Sequence, residues 1–234
     1  MPPSPSLTAL HASLAERLAE LRGVRPEDLP EPLLDVVVRG VKLPGGEVYI
    51  VRPDDWEALR DEEGAAARPI PYWARLWQSA EILARALARQ PPRPGTKVIE
   101  LGCGLGLPSI VAARGGAAVT ATDGHEDAVA FAAHSLALNE QEATVIRADI
   151  ANDADALADL GPFDLVLAAD VLYTVANADA MLLILPRLLE PDGRVLLADP
   201  DRAGGRRFLA AARSLFHVQT KEDDDVKLHT LRPR

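Results

Sequence analysis

The 234-residue sequence contains a single cysteine, Cys103, which excludes an internal disulfide framework and a zinc cluster built on several cysteines. A lone cysteine is typical of a protein in a reducing compartment. Positive charge is also scarce, with 25 Lys and Arg against 35 Asp and Glu and a net charge of −10. Because an acidic surface repels phosphate backbones, we expect no nucleic-acid partner.

Long apolar runs are missing as well. The most apolar stretch, residues 181–189, is interrupted by Pro186 and Arg187 and is too short to cross a bilayer. The first residues, MPPSPS, lack the basic and apolar regions of a signal peptide. The five histidines show no spacing typical of metal ligands. We therefore expect a cytoplasmic protein without a membrane partner or a metal, of undetermined oligomeric state.

Apolar stretches alternate with helical patterns along the C-terminal two-thirds of the chain. The predicted strands are 97–101, 118–122, 144–148, 163–169 and 194–199, and the helices between them are 107–114, 126–139, 154–160 and 179–189. This alternation predicts an α/β fold with a parallel sheet. A last helix at 205–215 and a hairpin of strands 218–221 and 226–231 complete a mostly parallel, seven-stranded sheet with an antiparallel C-terminal hairpin.

Residues 1–70 predict a small N-terminal extension. A helix carries Leu7, Leu10, Leu14, Leu18 and Leu21 on one face. Strands 36–39 and 47–51 form a β-hairpin with a turn at Gly45-Gly46, and a short helix at 54–60 precedes a loop. A helix at about 75–89 and a proline-rich break then lead to the first strand of the sheet. We place the domain boundary between residues 70 and 71.

The first strand of the sheet ends in a glycine loop, Gly102-Cys103-Gly104-Leu105-Gly106, which opens a helix. Glycines there allow a ligand to approach the backbone closely. The spacing is G-x-G-x-G, whereas a dinucleotide-binding turn needs glycine at 107, where Leu107 stands. Asp123 ends the second strand, where a carboxylate can accept hydrogen bonds from both ribose hydroxyls. The alternative is a tight turn that binds nothing.

Two further acids, Asp149 and Asp170, follow the third and fourth strands. Since parallel strands end at the same edge of a sheet, these acids and Asp123 should lie together where open α/β sheets bind ligands. For each acid alone, the alternative is a helix cap or a turn residue. Their joint placement favours a binding site.

Several motifs give the chain a family resemblance. Asp170-Val171-Leu172-Tyr173 follows the fourth strand, and Trp77 lies in the helix before the glycine loop. Together with that loop, they resemble the class I (seven-β-strand) S-adenosylmethionine-dependent methyltransferases, and among these the protein lysine methyltransferases of methyltransferase family 16. Pro71-Tyr72-Trp73-Ala74 and residues 197–202 resemble the electron-transfer-flavoprotein β-subunit lysine methyltransferase branch. That branch has a Pro-Gly-Gly-like turn where this chain has Gln78-Ser79-Ala80.

The resemblance implies a Rossmann-like αβα sandwich over residues 71–234 and S-adenosylmethionine as the cofactor. It implies cofactor-binding roles for the methionine end (Glu100, Gly102, Gly104 and Gly106, with Cys103 between them), the ribose (Asp123), the adenine (Asp149 and Ile150) and a cover over the cofactor (Trp77). Asp170 and Tyr173 would be catalytic and face the methyl group and its acceptor. For Trp77 the alternative is an ordinary core aromatic.

The resemblance further implies methyl transfer to a nitrogen, with a lysine side chain of a protein substrate as the expected acceptor. The alternative is a small-molecule amine on the same fold. A third possibility, a binding module without catalysis, is disfavoured by the intact glycines, Asp123 and the Asp170–Tyr173 motif. Whether residues 1–70 form an open rim or a closed lid would separate protein from small-molecule acceptors.

Overall fold

The computed structural model describes residues 7–234 as nine strands in two sheets, with helices around them. The strands are β1 (Val36–Leu43), β2 (Gly46–Pro53), β3 (Lys97–Leu101), β4 (Ala118–Asp123), β5 (Thr144–Arg147), β6 (Phe163–Ala169), β7 (Leu189–Asp199), β8 (Phe216–Asp223) and β9 (Val226–Pro233). The α-helices are α1 (Leu7–Arg22), α2 (Glu31–Leu34), α3 (Trp56–Ala65), α4 (Gln78–Arg89), α5 (Leu107–Arg114), α6 (Glu126–Leu138), α7 (Ala154–Ala158), α8 (Val175–Leu188) and α9 (Ala203–Ala212). Single 3-10 turns lie at Pro26–Asp28 and Tyr72–Ala74.

The large sheet has seven strands in the order β5-β4-β3-β6-β7-β9-β8. Strands β3 to β7 are parallel, and β9 runs antiparallel to both β7 and β8. This confirms the predicted mostly parallel sheet with an antiparallel C-terminal hairpin. The strand order reverses beside β3, because the chain builds β4 and β5 on one side and then crosses to β6 on the other. A crevice at such a reversal is where open α/β sheets bind ligands.

Helices cover both faces of this sheet. One core joins α4, α5 and α6 to the sheet, and a second joins α7, α8 and α9 to its other face. Strands covered on both faces are continuously apolar rather than alternating, as in Val98-Ile99 of β3 and Leu165–Ala168 of β6. The result is the αβα sandwich that the sequence predicted.

The N-terminal extension packs on the same face as α6. Leu14 and Leu18 of α1 are fully buried in the core that also contains Phe131 of α6. Arg22, at the end of α1, pairs with Asp127 of α6 at 2.5 Å and with Glu63 of α3 at 3.0 Å. These contacts fix the extension to the sandwich, and the domain boundary at residue 71 stays a prediction.

The leucine face predicted for the first helix is confirmed at three positions. Leu14 and Leu18 are buried, and Leu21 is partly buried against the same core. The side chains of Leu7 and Leu10 lie outside the described part of the chain. Within residues 7–234, no helix combines the length and the apolar character needed to cross a membrane.

The tertiary structure moves several predicted boundaries. Helix α3 runs on to Ala65, where a loop was predicted, because Glu63 is buried between Arg22 and Arg68 and the pairing keeps the extra turn in place. Helix α8 begins at Val175 rather than at 179, since the Thr174 hydroxyl caps it by accepting a hydrogen bond from the Asn177 N–H at 3.0 Å. Strand β7 begins at Leu189 instead of 194, with a register shift opposite β6.

Two predictions near the N-terminus are also corrected. The β1–β2 pairing joins Leu43 to Gly46, so the hairpin turn is Pro44-Gly45 and not Gly45-Gly46. Helix α4 begins at Gln78 and not at 75, which leaves Trp77 in extended backbone just ahead of the helix. The Trp77 side chain is partly exposed there.

Candidate functional site

A cleft of about 270 Å³ opens at the carboxyl ends of β3, β4, β5 and β6. Every site residue predicted from the sequence lines it: Trp77, Glu100, Gly102, Cys103, Gly104, Gly106, Asp123, Asp149, Ile150, Asp170 and Tyr173. The structure therefore brings the predicted set together at the sheet edge where the strand ends placed it. The role of each residue toward a ligand stays a prediction.

The three loop glycines have a backbone that other residues rarely adopt. Their φ angles are +66° at Gly102, +51° at Gly104 and +82° at Gly106. A Cβ on Gly102 would lie 2.7 Å from Val171 Cγ1, and one on Gly104 would lie 3.3 Å from the Trp73 carbonyl oxygen. From the sequence, we expected glycine at these positions because a ligand would approach the backbone closely. In the structure, the left-handed backbone and close packing against the protein itself already account for them.

Asp123 ties the glycine loop to the end of β4. Its Oδ2 accepts a hydrogen bond from the Gly104 N–H at 2.9 Å, and its Oδ1 accepts one from the His125 N–H at 2.9 Å. Each carboxylate oxygen can accept a further bond, so the group remains available to a pair of hydroxyls. Burial on the cleft floor raises the pKa of Asp123, and the two N–H donors oppose that rise.

Glu100 lies beneath the same loop and is 1% exposed. Its Oε2 accepts hydrogen bonds from the Ser109 N–H at 2.9 Å and from the Ser109 hydroxyl at 2.5 Å. Burial, reinforced by the negative charge of Asp123, raises the pKa of Glu100 to about 8, against the two bonds from Ser109. The carboxyl is therefore largely protonated at neutral pH. Burial likewise raises the pKa of Cys103, which keeps its sulfur an uncharged filler.

Asp149 serves as a turn residue while it also lines the cleft. Its Oδ1 accepts hydrogen bonds from the N–H groups of Ala151 at 3.0 Å and Asn152 at 2.7 Å. This turn role is the alternative that the sequence left open for strand-end acids. Ile150, which is 5% exposed, adds an apolar surface beside it.

At the β6 end of the cleft, Asp170 is paired with Arg202, a partner that the sequence did not predict. The Arg202 Nε donates to Oδ1 at 2.5 Å and its Nη2 donates to Oδ2 at 3.0 Å. Asp170 has a left-handed backbone, with φ of +58°, and its side chain is 7% exposed. Tyr173, three residues later, is 55% exposed, and its ring lies 6.0 Å from that of Tyr72.

Aromatic side chains form one wall of the cleft. The Trp77 indole N–H donates to the Tyr72 carbonyl oxygen at 2.8 Å, and the two rings lie 6.3 Å apart. The Arg75 guanidinium lies 4.9 Å from the centre of the Trp77 ring and 5.0 Å from that of Trp56. Trp77 is therefore a partly exposed wall residue and not the ordinary core aromatic of the alternative interpretation.

Sequence reasoning assigned no role to Tyr72, Trp73 or Arg202. Trp73 is 7% exposed and packs against Phe131 and His125, with ring centres 4.9 and 5.6 Å away. Its indole N–H has no hydrogen-bond partner within residues 7–234, which is unusual for a buried donor. The family resemblance included residues 71–74 and 197–202. Local sequence patterns could not show that these two stretches lie against the glycine loop and Asp170.

The cleft is predominantly acidic. Among the residues that the structure describes, four carboxyl groups and one guanidinium line it: Glu100, Asp123, Asp149, Asp170 and Arg75. Such a cleft favours a ligand that carries positive charge and hydroxyl groups, and it disfavours a pyrophosphate. In the described residues, no three His, Cys, Asp or Glu side chains are grouped to hold a metal ion.

Comparison with known proteins gives the family of the chain. A family model described as "Methyltransferase domain" matches residues 92–229. The electron transfer flavoprotein beta subunit lysine methyltransferase of Danio rerio is 32% identical over 58% of this chain and 52% of its own length. Protein N-lysine methyltransferase METTL21A of the same organism is 34% identical over 68% of this chain and 79% of its own length. The chain spans about half the length of the first of these relatives.

Among solved structures, a 16S rRNA methyltransferase of T. thermophilus, in complex with S-adenosylmethionine and guanosine, matches with a TM-score of 0.64. The match covers 90% of this chain and 53% of that chain at 17% identity, so it shows the shared fold alone. The family model and the METTL21A match go further and confirm the predicted family. The chain belongs to the class I S-adenosylmethionine-dependent methyltransferases, in the family that includes protein lysine methyltransferases.

Proposed function

We propose that this chain transfers a methyl group from S-adenosylmethionine to a lysine side chain of a protein substrate. The observation that supports it most is an acidic cleft at the carboxyl edge of the sheet, built on a left-handed glycine loop and open at its aromatic rim. Its lysine methyltransferase relatives point to the same acceptor class.

The residues of the cleft fit the cofactor. S-adenosylmethionine carries positive charge on its sulfur and its amino group, which the carboxylates of Asp123 and Asp149 in the cleft complement. Asp123 would hold the ribose hydroxyls, since both of its oxygens retain capacity to accept hydrogen bonds. Glu100 would ionise beside the positively charged methionine end. The unpartnered Trp73 indole N–H is a buried donor in the same wall.

When bound, S-adenosylmethionine supplies an electrophilic methyl group, so that the nitrogen lone pair forms the N–C bond while the C–S electrons return to sulfur and leave a neutral thioether. The chain's contribution is proximity and alignment at the Asp170 end of the cleft. A lysine amine, with a pKa of about 10.4, is neutral in only about one molecule per thousand near pH 7. Restoring the neutral amine costs about 4 kcal/mol unless the site lowers that pKa.

The rim of the cleft supports a protein acceptor over a small molecule. Among the described residues, the earliest that lines the cleft is Pro69, so neither α1 nor the β1–β2 hairpin closes over it. Tyr72 and Tyr173 stand at the opening and are 45% and 55% exposed. An open aromatic rim admits the long side chain of a lysine on a folded partner, whereas small ligands are usually enclosed on most sides.

The test is incubation of the chain with radiolabelled S-adenosylmethionine and a cell lysate, followed by acid hydrolysis of the labelled fraction. We expect label in protein, recovered as methyllysine, and its loss with the Asp123→Ala variant. The matched control is Asp164→Ala, because Asp164 also accepts a backbone N–H, from Lys97 at 2.8 Å, outside the cleft. Label in the small-molecule fraction or on another amino acid would overturn the lysine assignment.

A further inference from the structure

The Asp170–Arg202 pair presents a charge problem for the proposed reaction. Asp170 lines the acceptor end of the cleft, where an unpaired carboxylate would hold the proton on an approaching lysine ammonium. Arg202 satisfies both oxygens of that carboxylate with a planar fork of donors. A guanidinium stays charged at every working pH, and its hydrogen bonds to Asp170 raise the pKa of Arg202 further. The carboxylate is therefore neutralised by a permanent positive charge.

The pair is built into the fold and is not a mobile cover. The Arg202 N–H donates to Oδ1 of Asp199 at 2.8 Å, which fixes the loop after β7 to the end of that strand. Gly204, at the start of α9, packs so tightly that a Cβ there would collide with the Leu172 carbonyl oxygen. The loops after β6 and β7 thus lock against each other. An acceptor amine would meet Asp170 with Arg202 in place.

We propose that Arg202 is a positioning residue of the acceptor site: by holding both oxygens of Asp170, it cancels that charge and lets a lysine ammonium release its proton to water before methyl transfer. The inference rests on the proposed function. With Arg202 in place, the Asp170 oxygens can still orient the amine through their remaining lone pairs. Without Arg202, the same carboxylate would keep the acceptor protonated.

Other charged groups surround the Asp170–Arg202 pair and contribute to the net charge around it. Asp199, buried at the end of β7, has a pKa raised first by burial, and its Oδ2 has no partner within residues 7–234. Asp201 is paired with Lys227 at 3.2 Å and with Arg206 at 3.6 Å. Tyr72 and Tyr173 face the Asp170–Arg202 pair from the cleft side. Partial burial raises the pKa of Tyr173, and the charges of Asp123, Asp149 and Asp170 raise it further. Arg202 is thus the cation that pairs directly with Asp170.

The first test is the pH–rate profile of methyl transfer to a lysine substrate for the parent, Arg202→Gln and Arg202→Lys. With Arg202→Gln, the profile should move upward by about one pH unit, so turnover near pH 7.5 falls about tenfold and recovers in alkali. Arg202→Lys should restore much of the neutral-pH rate because it keeps the charge. The control is Arg207→Gln. Arg207 is paired with Asp179 at 3.2 Å, and this pair lies outside the cleft. An unshifted profile, or a faster variant at neutral pH, would overturn the proposal.

The second test needs no acceptor and so separates this proposal from the proposed function. The chain has three tyrosines, and a Tyr49→Phe/Tyr72→Phe background leaves Tyr173 alone for absorbance titration. Adding Arg202→Gln should raise the pH at which Tyr173 titrates, because Asp170 is then an unbalanced charge. Adding Asp170→Asn to that variant should reverse the rise. An unchanged titration refutes the charge balance, whereas absence of lysine methylation by the parent refutes the proposed function alone.

Discussion

The two ends of the cleft are built in different ways. At the β3–β4 end, the glycine loop, Glu100 and Asp123 are held by backbone and buried hydrogen bonds among residues close in sequence. At the β6 end, Asp170 is held by the partly exposed Arg202, and Tyr173 faces Tyr72 across a gap of about a hundred residues in the chain. The first end is rigid and local. The second is assembled from distant, more exposed side chains.

This contrast corresponds to two tasks, binding a cofactor of constant structure and binding an acceptor that varies. A cofactor of fixed shape is served by a loop whose φ angles only glycine adopts easily and by a carboxylate fixed by two N–H donors. An acceptor that differs between relatives is served by exposed loops, which tolerate substitution without loss of the core. We therefore expect variants at the two ends to have separable effects on cofactor affinity and on turnover.

The largest effect should come from the glycine loop. Gly104→Val forces a β-branched residue into a φ of +51° and drives its Cβ toward the Trp73 carbonyl, so cofactor binding should be lost. The matched control is Gly95→Val, which carries the same kind of strain at φ +81° with nothing within 4 Å of the new Cβ. Calorimetry with S-adenosylhomocysteine and circular dichroism measure both. Equal loss of fold in the two variants would mean that glycine serves folding alone.

Asp123→Ala should weaken S-adenosylhomocysteine binding by about 1.5–3 kcal/mol, or roughly tenfold to more than a hundredfold, because a charged hydrogen-bond acceptor is lost. It also leaves the Gly104 and His125 N–H groups without their carboxylate. Calorimetric titration measures the affinity, with Asp164→Ala as the control outside the cleft. Affinity equal to that of the parent would remove Asp123 from the cofactor site.

Asp170→Asn tests the acceptor end. Asparagine tolerates the left-handed backbone at this position, but it leaves the Arg202 charge unbalanced beside the acceptor and has one oxygen instead of two to orient the amine. Turnover should therefore fall at least tenfold while cofactor affinity changes little. The control is Asp224→Asn, another left-handed aspartate, which lies in the β8–β9 turn outside the cleft. Paired titration and methyl-transfer assays decide the outcome. Loss of both cofactor binding and methyl transfer would mean that Asp170 maintains the loop structure. The two ends of the cleft would then not have separable roles.

Glu100 should give the smallest effect, visible as a pH dependence. With its pKa raised to about 8, the carboxyl binds a proton below that pH, and a positively charged cofactor favours the ionised form. Binding should then release a fraction of a proton per molecule below pH 8, and S-adenosylmethionine affinity should rise several-fold from pH 6 to 8 before levelling. Glu100→Gln should abolish both effects. Calorimetry in buffers of different ionisation enthalpy counts the protons, and zero release by the parent would contradict the assignment.

The sequence by itself determined the parallel sheet, its C-terminal hairpin and the edge at which the acids meet. These follow from the period of apolar residues and from where strands end, both of which are local properties. It also placed Gly102, Gly104, Gly106 and Asp123 at the cleft, since a strand, a glycine turn and a following acid lie within one βαβ unit. The start of α8, the extra turn of α3 and the early start of β7 were not predicted, because a cap and long-range pairs set those boundaries.

Only the tertiary structure decided what surrounds the acids. The sequence indicated no partner for the Asp170 carboxylate. Arg202, 32 residues later, could be assigned as its partner only once β6 and β7 lay side by side. The open rim had the same origin, since α1 packs on α6 and, among the described residues, the N-terminal extension reaches the cleft only at Pro69 and Ile70. Pairing of charges and exposure of a rim depend on contacts between distant segments, and a pattern of neighbouring residues does not specify them.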